Sequence, residues 1–321
     1  MMRTSINMEV KIAGLTLKNP LMPASGTYGY GKEYLTILPP DTFGAIVTKG
    51  VAVQPWPGNK PPRITETPSG MLNAIGLQNP GVENFIQEAL PFLRQFQAPV
   101  IVNIVGKTIN EYVQVAEILS SYPEIAGFEL NISCPNVKEG GIAFGTDPQM
   151  AHKITKAVRD ATKLPLIVKL SPNVTDITII ARSVEDAGAD AVSLINTLLG
   201  MAIDIKKRRP VLGNVVGGLS GPAVKPVALR MVWQVYSKIS IPIIGMGGIV
   251  SADDALEFMM AGATAVAVGT GNFKDPLTPK GILAGIEEFL VEEKIPNLAE
   301  LRGIAHQEFD IHKMTGGNNR A

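Results

Sequence analysis

The chain has 321 residues, with 29 Lys and Arg against 29 Asp and Glu, so its formal charge is zero and no excess positive field draws it to nucleic acid or anionic lipid. Hydrophobic residues at 45% and charged residues at 18% exclude a disordered polyelectrolyte and leave apolar surface for a large core. The single cysteine, Cys134, excludes an intrachain disulfide, a four-cysteine zinc site and any iron–sulfur cluster held by this chain alone.

The N-terminal stretch carries Arg3, Glu9 and Lys11 in place of an apolar signal-peptide region. Nowhere do about 18 apolar residues run together, so the reading is a soluble cytoplasmic protein with no membrane partner. Two short alternating runs flank Gly14 between Val10 and Leu17 and predict a hairpin laid across the bottom of the fold. Eight apolar, β-branched-rich runs then recur at 21–24, 45–49, 100–105, 127–133, 166–171, 191–197, 242–247 and 265–269, separated by stretches of helical period. This is the pattern of βα units, and eight of them with right-handed crossovers predict an α/β TIM (β/α)8 barrel, read as one domain over 1–321.

Thr108 to Glu111 and Ser251 to Asp254 predict helix starts, each a hydroxyl with a carboxylate three residues on. Gly188 and Gly262 predict stops, and Ile177, Ile180, Ala181 and Val184 form one buried helical stripe. The segment Ala187–Val192 echoes Ala261–Val266, each a helix end, a glycine and a following strand. The spans 50–80 and 198–219, and the glycine-rich loop from Cys134 to about Asp147, are long insertions after strands 2, 4 and 6 and read as functional excursions.

Alternation along the strands turns Phe128, Leu130 and Ile132 toward covering helices and Glu129, Asn131 and Ser133 into the barrel. The same logic turns Asn103 and Lys169 inward. Lys49, Asn103, Asn131, Lys169 and Asn196 all fall at C-terminal strand ends, where barrel active sites are built. Any one of them alone is compatible with a satisfied structural polar residue. Together, with Glu129 as the obvious counter-charge, they suit a flat, anionic ligand rich in carbonyl and N–H groups.

Strands seven and eight end in Gly245-Met-Gly-Gly248 and Gly269-Thr-Gly271, where backbone N–H groups can approach a phosphate closely. A mononucleotide cofactor with a planar head fits, and Lys169 would stand where it stabilises negative charge on a reduced flavin. Cys134, on the loop after strand four, is placed to serve as general base for a weakly acidic C–H, with Gly140 and Gly141 as hinges of a closing loop. His152 in a helix, and His306 and His312 in the C-terminal tail, receive no role, and no metal site is read.

These residues resemble the dihydroorotate dehydrogenase family, in its cytosolic class with a cysteine base. The match runs through Asn19–Gly26, Thr48–Gly50, Asn73–Asn79, Asn131–Asn136, Lys169–Asn173, Gly217–Pro222 and the two glycine motifs. The membrane-bound class has serine at the position of Cys134 and a membrane-associating extension; this sequence has neither. The segment Asn136–Gly141 resembles the NAD-linked subclass more than the fumarate-linked homodimers.

The resemblance implies bound FMN and oxidation of (S)-dihydroorotate to orotate in pyrimidine synthesis, Cys134 removing the C5 proton while C6 delivers hydride to the flavin. It implies FMN contacts from Ser25, Lys49, Gly50, Asn103, Asn131, Lys169, Ile195, Gly221, Gly247, Gly248, Gly269 and Thr270. It implies substrate contacts from Lys49, Asn73, Ala74, Ile75, Gly76, Leu77, Asn131, Asn136, Asn196 and Thr197. As partners it implies a homodimer of this chain, joined into a heterotetramer with an electron-transfer subunit that carries FAD and a [2Fe–2S] cluster. The alternatives are a fumarate-linked homodimer, a dihydropyrimidine dehydrogenase-like flavoenzyme, which Lys49 disfavours, and a tRNA dihydrouridine synthase, which the balanced charge disfavours. Outside enzymology, the alternative is a flavin- or phosphate-binding scaffold barrel.

Overall fold

The computed structural model describes residues 6–133 and 144–307. The chain opens with an antiparallel hairpin of β1 (Val10–Ile12) and β2 (Leu15–Leu17), in which Val10 pairs with Leu17. Ala13 and Gly14 both take positive φ, the geometry a two-residue hairpin turn requires. The next strands are β3 (Leu21–Pro23), β4 (Ile46–Val47), β5 (Ile64–Thr67), β6 (Gly70–Asn73), β7 (Val100–Ile104), β8 (Ile125–Asn131), β9 (Leu166–Lys169) and β10 (Ala191–Leu194). After them come β11 (Leu198–Met201), β12 (Ile203–Asp204), β13 (Arg209–Pro210), β14 (Val216–Ser220), β15 (Ile243–Met246) and β16 (Ala265–Val268).

An eight-stranded sheet in the order β3-β16-β15-β10-β9-β8-β7-β4 carries every strand that the hydrophobic runs predict, all in parallel. The edges β3 and β4 share no ladder, being three and two residues long, but the Gly44 amide donates to the Leu21 carbonyl at 2.9 Å and brings them together. A Cβ at Gly44 would stand 2.0 Å from the Asn19 carbonyl oxygen, so that junction admits glycine alone. The ring is a nearly closed (β/α)8 barrel.

The helices behave as the patterning predicts. Ser251 and Asp254 form a reciprocal capping box ahead of the helix Ala252–Met260. Thr108 caps Ile109–Ser120 through the Glu111 amide, but the Glu111 carboxylate accepts from the Lys107 amide and not from Thr108, so that box is shifted by one residue. Ile177, Ile180, Ala181 and Val184 are all buried, and Gly188 and Gly262 take φ +94 and +121 after their helices. No helix among the described residues is long and apolar enough to cross a membrane.

Each of the eight strands ends one to three residues before its predicted run, β9 at Lys169 and β10 at Leu194, so that Asn196 follows its strand. The second predicted strand keeps ladder pairing only at Ile46 and Val47, the chain turning into the mouth at Thr48, and β8 starts at Ile125, two residues before the predicted Gly127, with a register shift opposite Val100 and Ile101. The insertions after strands two and six form one body. Their strands make a single antiparallel sheet, β11-β14-β6-β5, with Leu72 opposite Leu219 and Leu219 opposite Leu198.

Candidate active site

At the C-terminal end of the barrel the inward residues of β7, β8, β9 and β10 meet. The ladder sets Asn103 beside Glu129, Asn131 beside Lys169, and Lys169 beside Ser193. Glu129, 1% exposed, accepts from Asn103 Nδ2 at 2.7 Å on one oxygen and from Ser193 Oγ at 2.8 Å on the other. The Lys169 ammonium stands 3.7 Å from Glu129 Oε1, close enough for an ion pair and too far for a hydrogen bond. Asn103 Oδ1 is buried without a partner among the described residues, and a Cβ at Gly50 would lie 3.2 Å from it.

One layer further out, Asn131 Oδ1 accepts from the Ser133 amide at 3.3 Å and from Asn196 Nδ2 at 3.4 Å, while Tyr112 Oη donates to the Asn131 carbonyl at 2.8 Å. Thr197 donates its amide to Asn196 Oδ1 at 2.8 Å and accepts, on its carbonyl, from Asn173 Nδ2 at 3.1 Å. A Cβ at Gly218 would overlap Thr197 Oγ1 at 2.0 Å, so the close approach of the second insertion to the mouth depends on that glycine.

Lys49 leaves β4 with its amide bonded to the Gly29 carbonyl at 3.1 Å. Burial first, and then the Arg63 guanidinium, hold its ammonium below the usual lysine range, against the opposing pull of Glu33. The segment Asn73 to Leu77 runs on from β6 and is pinned from both sides. Asn59 donates its side chain to the Ala74 carbonyl and its amide to the Ile75 carbonyl, both at 3.0 Å, and Asn79 Nδ2 donates to the Leu77 carbonyl at 2.9 Å. Gly76 and Leu77 take φ +76 and +53.

The glycine motifs converge on the opposite side of the mouth. Gly221 (φ +95), Gly247 (φ +129) and Gly248 (φ +79) follow β14 and β15. A Cβ at Gly248 would lie 2.9 Å from the Gly221 carbonyl oxygen, one at Gly247 3.3 Å from Ile195 Cγ1, and one at Gly221 3.6 Å from Thr270 Cγ2. Thr270 Oγ1 lies 2.7 Å from Ser220 Oγ. Gly269 faces Ala24 and Thr27, which brings the turn holding Ser25 to the same end. Behind this cradle Lys225 pairs with Asp254 at 2.6 Å and Glu257 at 3.0 Å.

The structure thus gathers Lys49, Gly50, Asn103, Asn131, Lys169, Asn196 and Thr197 around the barrel mouth, with Ile195 and the glycine residues beside them. Cys134, Asn136 and the glycines at 140 and 141 lie outside the described residues, as does His312. Ser193 and Arg63 escape the sequence reading, and Thr48 enters it only as part of the Thr48–Gly50 match. Ser193 is buried opposite Glu129, and strand alternation from Val192 and Leu194 would have found it. Thr48 Oγ accepts from the Asn103 amide at 3.2 Å, a contact the motif alone does not announce, and nothing local marks Arg63. His306, read as part of the tail, belongs to a short helical turn, stacks at 3.6 Å on Trp233 and bonds the Ala261 carbonyl at 3.0 Å, a packing role.

The family model described as dihydroorotate dehydrogenase matches residues 7–290. A protein of Geotalea uraniireducens named dihydroorotate dehydrogenase B (NAD(+)), catalytic subunit, is 60% identical over 297 residues, which cover 92% of this chain and 97% of that one. Proteins with the same name from Geobacter sulfurreducens and Alkaliphilus metalliredigens are 58% and 56% identical over 92% and 94% of this chain, and over 97% and 99% of their own lengths. In three dimensions the chain is similar to a crystal structure of DHODH in complex with ferulenol from Eimeria tenella, with a TM-score of 0.78 at 20% identity, covering 96% of this chain and 91% of that one. That likeness bears on the fold, which is the barrel described above. With a family model spanning most of its length and relatives identical at well over half of the aligned positions, this chain belongs to the dihydroorotate dehydrogenase family.

Proposed function

We propose that this chain is a flavin-dependent oxidoreductase that converts (S)-dihydroorotate to orotate in pyrimidine synthesis, with electrons passing through a partner subunit to NAD. The observation that carries the reading is the buried polar layer at the barrel mouth. A lysine, a glutamate and an asparagine with an unpartnered buried oxygen lie beneath a second pair of asparagines, beside a cradle of positive-φ glycines. Polar groups so deep in a barrel are stable only if something completes their hydrogen bonds.

These residues fit a flavin mononucleotide. Asn103 Oδ1 offers an acceptor to a ring N–H, Lys169 keeps ammonium donors that Glu129 does not take up, and Gly221, Gly247 and Gly248, where an added Cβ would strike neighbouring protein atoms, bring bare positive-φ backbone together beside Gly269 and Thr270 for a phosphate. Ser25, Lys49, Gly50, Asn131 and Ile195 would complete its surroundings. When bound, the flavin supplies a two-electron acceptor for the hydride leaving C6. The protein's own tasks are to bind, orient and deprotonate. Lys49, its ammonium held below the usual lysine range by burial and Arg63, and the segment Asn73, Ala74, Ile75, Gly76 and Leu77 hold the substrate, while Asn131, Asn136, Asn196 and Thr197 pair its amide edge, which both donates and accepts. Cys134 takes the C5 proton.

Residues 1–321 are read as one domain, working in the cytoplasm as a homodimer joined to a subunit that carries FAD and a [2Fe–2S] cluster. Anaerobic addition of dihydroorotate to the purified yellow protein should bleach its flavin band. A yellow protein whose band is unmoved by dihydroorotate would overturn dihydroorotate as substrate and favour the scaffold or a flavoenzyme of another substrate, and full reoxidation by fumarate alone would reassign the acceptor.

A further inference from the structure

Glu129 does more in this structure than balance a charge. Among the described residues it is one of the two buried acidic side chains, and three strands converge on it: Asn103 from β7, Ser193 from β10 and Lys169 from β9. Both carboxylate oxygens accept hydrogen bonds at 2.7 and 2.8 Å, which fixes the carboxylate plane. Lys169 is only 5% exposed, and its ammonium stands 3.7 Å away and makes no hydrogen bond to the described residues. A knot that served packing alone would close on itself, because each open valence in a buried network carries a desolvation cost. This one stays open at two atoms, Asn103 Oδ1 and Lys169 Nζ, and Glu129 is the side chain that touches both residues.

We propose that Glu129 is a positioning residue for the flavin, orienting Asn103 and Lys169 toward it and holding down its reduction potential by offsetting the charge of Lys169. The inference rests on the flavin reading above. Its physical basis is electrostatic. A flavin gains negative charge on reduction, so the Lys169 ammonium favours the reduced form and a carboxylate fixed beside that ammonium opposes it. With Glu129 ionised the array is neutral; with glutamine in its place it carries a full positive charge. Glutamine has the same shape, and its amide can accept from Asn103 Nδ2 and donate to Ser193 Oγ, because a hydroxyl works in either sense. The substitution therefore changes charge with little change in packing.

The test is the midpoint potential of the FMN-loaded protein, read from its visible spectrum during anaerobic equilibration with a reference dye. Glu129→Gln is expected to shift the reduction equilibrium toward the reduced form by about tenfold or more, about 30 mV upward for a two-electron couple. Lys169→Gln is expected to shift it in the opposite direction. Ser193→Ala, a small change at a buried position, removes one of the bonds that spread the carboxylate's charge, so it is expected to lower the potential and provides a reading even if Glu129→Gln does not fold. A potential that stays put or falls in Glu129→Gln, or, should that variant not fold, stays put or rises in Ser193→Ala, with FMN fully retained, overturns the role of Glu129. Wild-type protein that binds no FMN overturns the flavin reading instead.

Discussion

Replacing Asp254 by asparagine tests how the glycine cradle is held in place. Asp254 Oδ2 accepts from the amides of Val250 at 2.9 Å and Ser251 at 3.0 Å, and Oδ1 accepts from Lys225 Nζ at 2.6 Å. Lys225 lies four residues beyond Gly221, and a Cβ at Gly248 would meet its Cβ at 2.8 Å, so the ion pair ties the segment after β14 to the segment after β15. Asparagine keeps an oxygen for the two amides but turns an amide nitrogen toward the ammonium. The loss is one charge-assisted bond between side chains 25% and 11% exposed, about 1.5–3 kcal/mol for such a bond.

Lys225 retains Glu257, a more exposed pair worth at most about 1 kcal/mol, and this brings the expected loss to about 1–2 kcal/mol. Burial alone would raise the Asp254 carboxyl, but the bonds from Lys225, the Val250 amide and Ser251 outweigh it and hold it below the usual carboxylate range. A carboxyl lowered on folding contributes stability that is fully present above its unfolded value, about 3.9, and is lost as pH falls through the folded value. Urea denaturation should therefore show the variant weaker at pH 7 by the stated amount, with the gap closing below about pH 4. An equal gap at pH 7 and pH 3, or none at pH 7, would refute this account of the ion pair.

Cys134→Ala should retain FMN while anaerobic stopped-flow reduction by dihydroorotate slows by about 10²–10⁴-fold; a wild-type rate removes the thiol from the reaction. Gly248→Ala forces a side chain onto φ +79 against the Gly221 carbonyl and Lys225, and should lose about 1–2 kcal/mol of stability together with most of the FMN that co-purifies. Gly262→Ala would place a Cβ 2.2 Å from Tyr236 Cγ at φ +121, far from the mouth. It should lower stability by about 2 kcal/mol or more in a urea titration while FMN content per folded chain stays level.

Much of this architecture can be read along the chain because it is local. A strand's period of two and a helix's period of 3.6 are written into consecutive residues, so the run at 127–133 announces both its element and the inward direction of Glu129 and Asn131. Capping signals are as local: Ser251 and Asp254 find each other three residues apart, whereas Glu111 chooses the Lys107 amide one residue away from the expected one, a choice made by side-chain rotamer and invisible to spacing. The candidate site was legible to the extent that it sits at strand ends. Lys49, Asn103, Asn131, Lys169 and Asn196 each stand where a βα unit delivers a residue to the mouth.

The order of residues suffices for the eight-fold βα series, its polar mouth and the motifs that place the chain in its family. It does not suffice for the sheet shared by the insertions after strands two and six, which joins Asn73 to Gly218, nor for the seat of Glu129 between Asn103 and Ser193 with Lys169 just out of hydrogen-bond reach; these were settled in three dimensions. The division has a physical cause. Periodicity and caps act over a few residues along the chain, whereas the partner of a buried charge is chosen by ring closure and register, which bring together side chains separated by dozens of residues and carry no signature in either segment alone.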